Sequence, residues 1–509
     1  MAPEEFDYVV VGSGTGSVVA ARLAEDGRNS VCLLEAGPSD ADNLAVLDVR
    51  RWPELLGTEL DYDYVIEPQG CGAASMRQAS ARVLGGSTSH NACVAFRVPD
   101  PDLEAWERSG ARGWGAAACR PYFQRLTERM IFQHSHSSNP LLVAFLAAAV
   151  QAGLKRTSFD LTAQDVEDAV GWTLLSTKGS SRQSSSVAYL HPLASLPSNL
   201  TLRCNTIVTR ILFDGERRAI GVTTTHGEIR AAEEVILAAG AFESPKLLLL
   251  SGVGPAAQLR NHGIDVLVDL PGVGEHLLDH TDTALMWEAS QPFERSTMIE
   301  TAALFRSDRE QEVSDILSFC VPSTHADMSW LPEEGSRISG AADIPEHAFC
   351  LHISPSRPLS TGWVRLRSPN PFDAPMIDPR YFSDRDGHDE RTLVAGLRRG
   401  REIAAQPALR EWVKREIAPG HHVETDEQLS AFGRLTSVTG HHPCGTCKMG
   451  DPGDPTTVVD PELRVRGVER LRVADASVFP LMIAVNTNIT CMMIGERCAR
   501  LVRGGGTEA

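Results

Sequence analysis

The chain has 509 residues and a formal net charge of -18, with 48 Lys and Arg against 66 Asp and Glu. This length exceeds what one hydrophobic core usually serves, so we expect two or more domains. A surface this acidic repels the phosphates of nucleic acids and of anionic lipids, which argues against both as partners. The 11 cysteines are odd in number and scattered, a pattern that favours reduced thiols over a disulfide framework.

We expect a cytoplasmic protein that is not bound to a membrane. The opening residues MAPEE lead directly into an apolar strand, which leaves no room for a signal peptide. No uninterrupted apolar run is long enough to span a bilayer. Cys444 and Cys447 have the C-x-x-C spacing of a redox pair, but the flanking HHPCGTCKMG is typical of a loop rather than of the helix start that such a pair requires. We therefore assign them no function.

Residues 6–35 predict a strand, a glycine turn, a helix and a second strand. Residues 7–11 are a continuous β-branched and aromatic run, as a buried parallel strand requires. The helix that opens near Thr15 directs its free amides and positive dipole end toward a bound pyrophosphate. The unit predicts a dinucleotide site whose turn is formed by Gly12, Ser13, Gly14, Thr15 and Gly16.

Glu35 ends the second strand, where its carboxylate would accept hydrogen bonds from a ribose. Ser17 replaces the third glycine of the G-x-G-x-x-G pattern, so we expect the helix and the strand to pack slightly wider. No Arg follows Glu35 directly, which argues against a 2′-phosphate on the cofactor. Nothing in this unit distinguishes NAD from FAD, and an ordinary glycine-rich turn is the alternative.

Two later segments have the composition of ligand-binding loops. Residues 36–76 are irregular and too long for a simple connection, as lids often are. Residues 82–91 contain a second glycine turn, which is followed by small hydroxyl residues. Such a turn brings backbone amides close to a ligand. His90 follows this turn, although an isolated histidine is more often structural than functional.

The rest of the chain predicts further strands and helices, without an internal repeat. Asn139 and Pro140 predict the start of an apolar helix that is buried all round. From about Leu285 the composition changes to charged loops, strands and helices, which indicates a separate domain. Other predicted elements are strands within 199–225, 235–239, 347–354 and 362–368, and helices at 244–251, at 389–405, after the capping box that begins at Thr425, and at the end of the chain.

In its motifs and their order the chain resembles the glucose-methanol-choline (GMC) family of FAD-dependent oxidoreductases over essentially its whole length. Four blocks carry the resemblance: the first glycine unit, ARVLGGSTSHN from Ala81, GAFESPKLLLLSGVG from Gly240, and HP-x-GT-x-KMG from His442 together with VNTNIT from Val485. The chain looks most like the choline-oxidising members, which share SHN at Ser89, PGVGEHLLDH at Pro271, DPRYF at Asp378 and REIAAQPA at Arg401.

The resemblance implies an α/β fold, α+β overall, in which a Rossmann-type FAD-binding domain is interleaved with a substrate domain of antiparallel sheet and helices. Residues 1–145, 185–283 and 440–509 are expected to form the discontinuous FAD-binding domain. Residues 146–184 and 284–439 are expected to form the substrate-binding domain.

The resemblance also implies which residues form the site. It assigns His442 as the base beside the reactive nitrogen of the flavin and Asn486 as its catalytic partner. A histidine aligned with His90 holds the flavin covalently in the choline-oxidising members, so we expect the same link here. No metal site is expected. Besides the first turn and Glu35, the expected FAD-binding residues are Gly85, Gly86, Thr88, His90, Asn91, Val94, Val208, Asp475, Ala476 and Thr487.

The substrate pocket is the ambiguous part of the site. Choline-oxidising members surround a quaternary ammonium with aromatic rings and a carboxylate. Trp52 matches one ring and Asp282 is one methylene shorter than the carboxylate, whereas Ile299 and His325 stand where two other rings are expected. Only part of the cation-binding cage is therefore present. The alternative role for Trp52 and Phe319 is core packing, and for Asp282 it is a solvated charge on a loop. The predicted substrate residues are Trp52, Asp282, Phe319 and His441.

We therefore predict a flavin-dependent alcohol oxidase. Hydride passes from a small primary alcohol to FAD, and dioxygen then gives hydrogen peroxide beside the aldehyde or its acid. The alternatives are a dehydrogenase of the same family with another electron acceptor, a redox-silent lyase on the same fold, and a non-catalytic flavin protein. His442 and Asn486 together argue against the last. A homodimer is one assembly that the resemblance allows.

Overall fold

The computed structural model describes residues 3–70, 76–162, 166–323 and 345–504. Its first large sheet has seven strands, of which the central ones are parallel. In spatial order the strands are Leu200–Arg203, Val31–Leu34, Glu4–Val11, Gly227–Leu237, Ala219–Thr224 and Val208–Phe213, with Leu471–Val473 also paired to Gly227–Leu237. Parallel strands joined by crossover helices confirm the predicted Rossmann-type fold.

The amino-terminal unit has the predicted order of strand, turn, helix and strand. Strand Glu4–Val11 pairs in parallel with Val31–Leu34, and helix Gly14–Ala24 connects them. Every residue of Val31–Leu34 is buried, as a parallel strand covered on both faces requires.

Two glycines bring this helix close to the sheet. Gly12 has φ +90°, and a Cβ there would lie 2.5 Å from the carbonyl oxygen of Ala238. A Cβ on Gly16 would lie 3.0 Å from Cγ1 of Val10. The wider packing expected from Ser17 is therefore not seen, because Gly16 makes the close contact and the Ser17 hydroxyl donates to the carbonyl of Ser13 at 2.5 Å.

The second large sheet has eight strands and is antiparallel apart from one short pair. Helix His388–Ala404 packs against one face, where a Cβ on Gly400 would lie 2.6 Å from Cδ1 of Leu285. In spatial order the strands are Val413–Ala418, Thr281–Ala289, Ala348–Pro355, Ile316–Val321, Thr301–Phe305, Ala169–Trp172 and Lys155–Arg156, with Val438–Thr439 also paired to Thr281–Ala289.

The remaining helices and several two- and three-stranded sheets complete the fold. The α-helices outside those already described are Leu44–Leu47, Asp100–Arg108, Ala116–Leu126, Pro140–Gln151, Ser185–Tyr189, Gly240–Leu250, Ala256–Asn261, Pro407–Arg410, Asp426–Thr436 and Asn488–Val502. The smaller sheets pair Tyr64–Val65 with Arg77–Gln78, Thr177–Lys178 with Ser181–Arg182, Val253–Gly254 with Val268–Asp269, Gly362–Arg365 with Glu275–Leu277 and Met376–Asp378, and Leu174–Leu175 with Val94–Ala95 and Gln133–His134. Within the described ranges, no helix combines the length and the apolar character needed to cross a bilayer.

Two sequence predictions about helices were wrong. The helix expected from Ser244 begins at Gly240, because the distant carboxylate of Asp475 accepts from the Gly240 amide at 2.9 Å and from the Ser244 hydroxyl at 2.6 Å. The helix opened by Asn139 and Pro140 has the predicted cap, but it is not buried all round. Val143 and Val150 are 50% and 43% exposed, because only one side of the helix meets the second sheet.

A buried ion pair joins the first and last long helices. Nε of Arg22 lies 3.0 Å from both carboxylate oxygens of Glu496, and the Tyr189 hydroxyl donates to the same carboxylate at 2.6 Å. The Glu496 side chain is fully buried, whereas Glu25 and Glu128, the other carboxylates that pair with Arg22, are 39% and 64% exposed. The pair therefore depends on Glu496 to neutralise a buried guanidinium.

We predict that Glu496→Gln lowers the free energy of unfolding by about 3 kcal/mol, because it leaves Arg22 buried with only the partly exposed carboxylates of Glu25 and Glu128. The matched control Glu25→Gln removes one exposed partner and should cost under about 1 kcal/mol. Urea unfolding of the two variants beside the wild type measures the difference, and equal losses would contradict the central role of Glu496.

Candidate active site

One cavity of about 360 Å³ is lined by residues of both large sheets. Every residue predicted for the site lines it except Gly16 and Gly85. Gly16 lies behind the wall against Val10, and the amide of Gly85 donates to the Ser13 hydroxyl at 2.8 Å. Residues predicted to bind cofactor, to bind substrate and to act in catalysis thus share one site.

The first turn of helix Gly14–Ala24 faces the cavity. No side chain caps this end, and its first turn contains no acidic residue. The free amides and the positive end of the helix dipole are therefore available to an anionic group such as a pyrophosphate.

Glu35 lines the same end of the cavity and is held by protein donors. The amide and hydroxyl of Ser13 donate to Oε2, and the amide of Gly37 donates to Oε1 at 2.8 Å. Burial raises the pKa of Glu35, and these hydrogen bonds oppose the rise. Oε1 accepts from the Gly37 amide and keeps a second lone pair, so a ribose hydroxyl can still donate to it.

The second glycine turn packs directly against the first. A Cβ on Gly86, which has φ +52°, would lie 3.0 Å from the backbone of Gly14. The segment beyond it is held by the fully buried guanidinium of Arg182, whose Nη1 donates to the carbonyl of Asn91 at 2.5 Å and to that of Thr88 at 3.2 Å. The loop that ends in His90 is therefore rigidly placed at the cavity wall.

His90 is buried and has a ring nitrogen, Nε2, without a hydrogen-bond partner in the described residues. The nearest charge is Asp61, whose Oδ2 lies 3.6 Å from that nitrogen. Burial alone would raise the pKa of Asp61, but its interaction with His90 and backbone amides lowers it below the ordinary value. The cavity-lining His90 thus has an unpartnered ring nitrogen beside a carboxylate able to take its proton.

These features fit FAD. The uncapped helix end suits its pyrophosphate, Glu35 suits its ribose, and the close contact of two glycine turns leaves the cavity wall free of side chains there. The unpartnered His90 nitrogen and the unpartnered Oδ1 of Asn486 are the orphaned buried atoms expected where a polar ring system binds.

His442 and Asn486 lie side by side, as Nδ2 of Asn486 donates to Nε2 of His442 at 3.1 Å. The other ring nitrogen of His442, Nδ1, lies 2.9 Å from Nδ1 of His280. Nε2–H of His280 donates to the carbonyls of Ser356 and Ile483, both at 3.0 Å. A carbonyl can only accept, so the proton of neutral His280 is on Nε2 and its Nδ1 is an acceptor.

This arrangement determines the tautomer of His442. Its Nδ1 must carry a proton and donate to Nδ1 of His280, so its Nε2 is unprotonated and accepts from the Asn486 amide at the cavity wall. Burial lowers the pKa of His442 well below 6.5 and that of His280 to about 4, so both rings are neutral at pH 7. The amide of His442 also donates to Oδ1 of Asp279 at 2.9 Å, which holds the backbone in place.

Strands of the second sheet, which carry Asp282 and Phe319, and segments outside the sheet supply the other wall. Asp282, Phe319, Trp52, His441 and Ile299 all line the cavity. Oδ2 of Asp282 accepts from Nδ1 of His352 at 2.7 Å. Burial lowers the pKa of His441 to about 4, which keeps that ring neutral. His325, expected near the substrate, lies outside the described residues.

Two histidines of the site received no role from the sequence. His280 lies within the PGVGEHLLDH motif, but only the fold brings its ring against His442. His352 belongs to strand Ala348–Pro355, and no sequence signal points to its contact with Asp282. Both act through partners that are distant in the chain.

Cys444 and Cys447 are free, buried thiols whose pKa burial raises well above 9.0. Such thiols are poor nucleophiles. Within the part of the chain that the structure describes, no cluster of His, Cys, Asp and Glu is arranged to hold a metal ion.

Known proteins are similar to this chain over nearly its whole length. Models of the GMC oxidoreductase family match residues 6–282 and 358–495. Choline oxidase of Arthrobacter globiformis is 44% identical, with 99% of this chain and 95% of that protein covered. Human mitochondrial choline dehydrogenase is 36% identical, with 98% and 90% covered. The crystal structure of pyridoxine 4-oxidase from Mesorbium loti has a TM-score of 0.87 and 29% identity, with 97% and 98% covered.

These matches take in both halves of the chain and nearly the full length of its relatives. The amino-terminal dinucleotide unit and the carboxyl-terminal segment that carries His442 and Asn486 lie within the two matched ranges. The chain therefore belongs to the GMC oxidoreductases, a family of FAD-binding enzymes.

Proposed function

We propose that this protein is an FAD-dependent alcohol oxidase that converts a small primary alcohol to its aldehyde, with dioxygen as electron acceptor. The observation that carries the proposal is the unprotonated Nε2 of His442, which accepts from the Asn486 amide at the cavity wall. The similarity of this chain to choline oxidase and to pyridoxine 4-oxidase supports an oxidase over a dehydrogenase, a lyase or a non-catalytic flavin protein. A cytoplasmic location and a homodimer remain part of the proposal.

The chain's own residues supply the acid–base chemistry. Nε2 of His442 takes the hydroxyl proton of the alcohol, and the imidazolium formed shares its charge through Nδ1–H with His280. The Asn486 amide turns from His442 to the alcohol oxygen and stabilises the negative charge that develops there. When bound, FAD accepts the hydride from the alcohol carbon and passes two electrons to dioxygen, giving hydrogen peroxide.

The covalent flavin link through His90 belongs to the same proposal. His90 has an unpartnered nitrogen at the cavity, and Asp61 can receive the proton that the ring loses. Arg182 supports the link indirectly, because it holds the loop on which His90 lies.

The second candidate is a dehydrogenase that passes electrons to another acceptor, which the 36% identity to choline dehydrogenase keeps open. Anaerobic mixing with a panel of primary alcohols, followed by admission of air, tests both. The oxidase should lose its flavin colour without air and regain it with one equivalent of peroxide. Bleaching without peroxide would favour the dehydrogenase, and an unbleached flavin with every alcohol would favour the lyase.

We predict that FAD stays with the polypeptide after acid precipitation, because His90 holds it covalently. His90→Asn should release the flavin into the supernatant yet leave it bound in the native protein, since the glycine turns and Glu35 are unchanged. The control His226→Asn, on the surface, should retain the link. Flavin wholly in the supernatant from the wild-type protein would rule out the link.

We predict that His442→Ala slows flavin reduction by about two to four orders of magnitude, because it removes the base. Asn486→Ala removes one preorganised donor and should cost about two to three orders. Stopped-flow absorbance of the anaerobic half-reaction measures both. If His442→Ala reduced its flavin at the wild-type rate, the base would be another residue, and His441 would be the next candidate.

We predict that the rate of flavin reduction falls at acid pH and that the midpoint of this fall lies below pH 6.5. Burial lowers the pKa of His442, so the base is already unprotonated at neutral pH and is lost only as the pH falls through its folded-state pKa. Stopped-flow rates from pH 5 to pH 8 should therefore be level near pH 7. A midpoint at or above pH 6.5 would contradict a catalytic base whose pKa is lowered by burial.

A further inference from the structure

The wall opposite the cofactor residues is one face of the second large sheet. Phe319 and His352 are directly opposed on neighbouring antiparallel strands, and His352 is opposed to Ala284 on the next. Side chains alternate along a strand, so Asp282, two residues before Ala284, lies on this same face. Asp282, Phe319 and His352 all line the cavity.

The two carboxylate oxygens of Asp282 are in different situations. Oδ2 accepts the hydrogen bond from Nδ1 of His352 at 2.7 Å, which orients the carboxylate. Oδ1 is buried and has no hydrogen-bond partner among the described residues. A buried acceptor without a donor is costly, so the site is built to receive a donor there.

Because Asp282 lines the cavity, a molecule bound there can supply that donor. A protonated amine brings a positive charge and at least one N–H, and it can give Oδ1 a charge-assisted hydrogen bond. A quaternary ammonium brings the charge but only C–H groups, and it leaves Oδ1 unsatisfied. Recognition of such a cation relies instead on surrounding aromatic rings, and here Ile299 lines the cavity beside Trp52 and Phe319.

The spacing of the site limits the length of the alcohol. Asp282 follows His280 by two residues, which places the two backbone positions no more than about 7 Å apart. The ring of His442 packs edge-on against that of His280, with centroids 5.0 Å apart. Asp282 therefore lies near the His280–His442 pair at the cavity wall, which favours a short alcohol whose cationic group binds Asp282 while its hydroxyl meets His442.

We infer that Asp282, oriented by His352, selects short amino alcohols whose protonated nitrogen carries an N–H, in preference to quaternary ammonium alcohols. The inference rests on the proposed function, because the hydroxyl of such a molecule must reach His442. It makes Asp282 and His352 the residues that determine which alcohol is oxidised.

Three alcohols of nearly equal shape test the inference at pH 7: 2-(dimethylamino)ethanol, which is protonated, choline, and the neutral 3,3-dimethylbutan-1-ol. The measured quantity is the rate of anaerobic flavin bleaching divided by the apparent dissociation constant. We expect 2-(dimethylamino)ethanol to exceed choline by roughly tenfold, which corresponds to one hydrogen bond to a charged acceptor. The neutral alcohol should be slowest.

Two variants separate charge from orientation. Asp282→Asn removes the charge and should bring the three alcohols to within about threefold of one another. His352→Gln keeps the charge but loosens the carboxylate, so it should reduce the amine-over-choline ratio while both cations stay ahead of the neutral alcohol. Flavin absorbance of each purified variant checks that the site is intact.

The outcomes distinguish this inference from the proposed function. Choline equal to or faster than 2-(dimethylamino)ethanol would overturn the preference for an N–H donor, even with full oxidase activity. An unchanged amine-over-neutral ratio in Asp282→Asn would overturn the role of Asp282. Failure of all three alcohols and of the wider alcohol panel to bleach the flavin would instead overturn the proposed function.

Discussion

The chemistry of the site depends on the hydrogen bond between the rings of His280 and His442. His280 can accept through Nδ1 only because its Nε2–H is held by two backbone carbonyls, those of Ser356 and Ile483. If either ring took the other tautomer, two N–H groups or two lone pairs would face each other in a buried place. The unprotonated state of Nε2 of His442 is thus a consequence of backbone geometry on the far side of His280.

Those two carbonyls are held by an ion pair that does not touch the cavity. Oδ2 of Asp102 accepts from the amide of Ala484, next to Ile483, at 2.9 Å. Arg357, next to Ser356, pairs with Oδ1 of the same carboxylate, and its Nε donates to the carbonyl of Ser314 at 2.9 Å. Burial lowers the pKa of Arg357 to about 10, so the guanidinium stays charged at neutral pH. One buried carboxylate therefore anchors both segments on which the tautomer depends.

Local features of the fold could be predicted because their causes are local. The unit from Glu4 to Leu34 needs only a β-branched strand, glycines and a helix that follows them, all adjacent in sequence. The caps at Asn139 and Thr425 were also predictable, since each side chain bonds to an amide two or three residues away. Motif resemblance then identified His90, His442, Asn486 and Asp282, and all four line one cavity.

Sequence alone determined the dinucleotide unit, the family and the chemical types of the site residues, because short-range spacing and shared motifs carry that information. Tertiary structure alone decided which atoms of those residues are available. The start of the helix at Gly240 depends on Asp475, the proton position on His442 depends on His280, and the free oxygen of Asp282 depends on His352. These partners lie between 70 and 235 residues apart in the chain, so no local pattern records them. Hydrogen-bond donors and acceptors are paired only when the strands and loops that carry them come together.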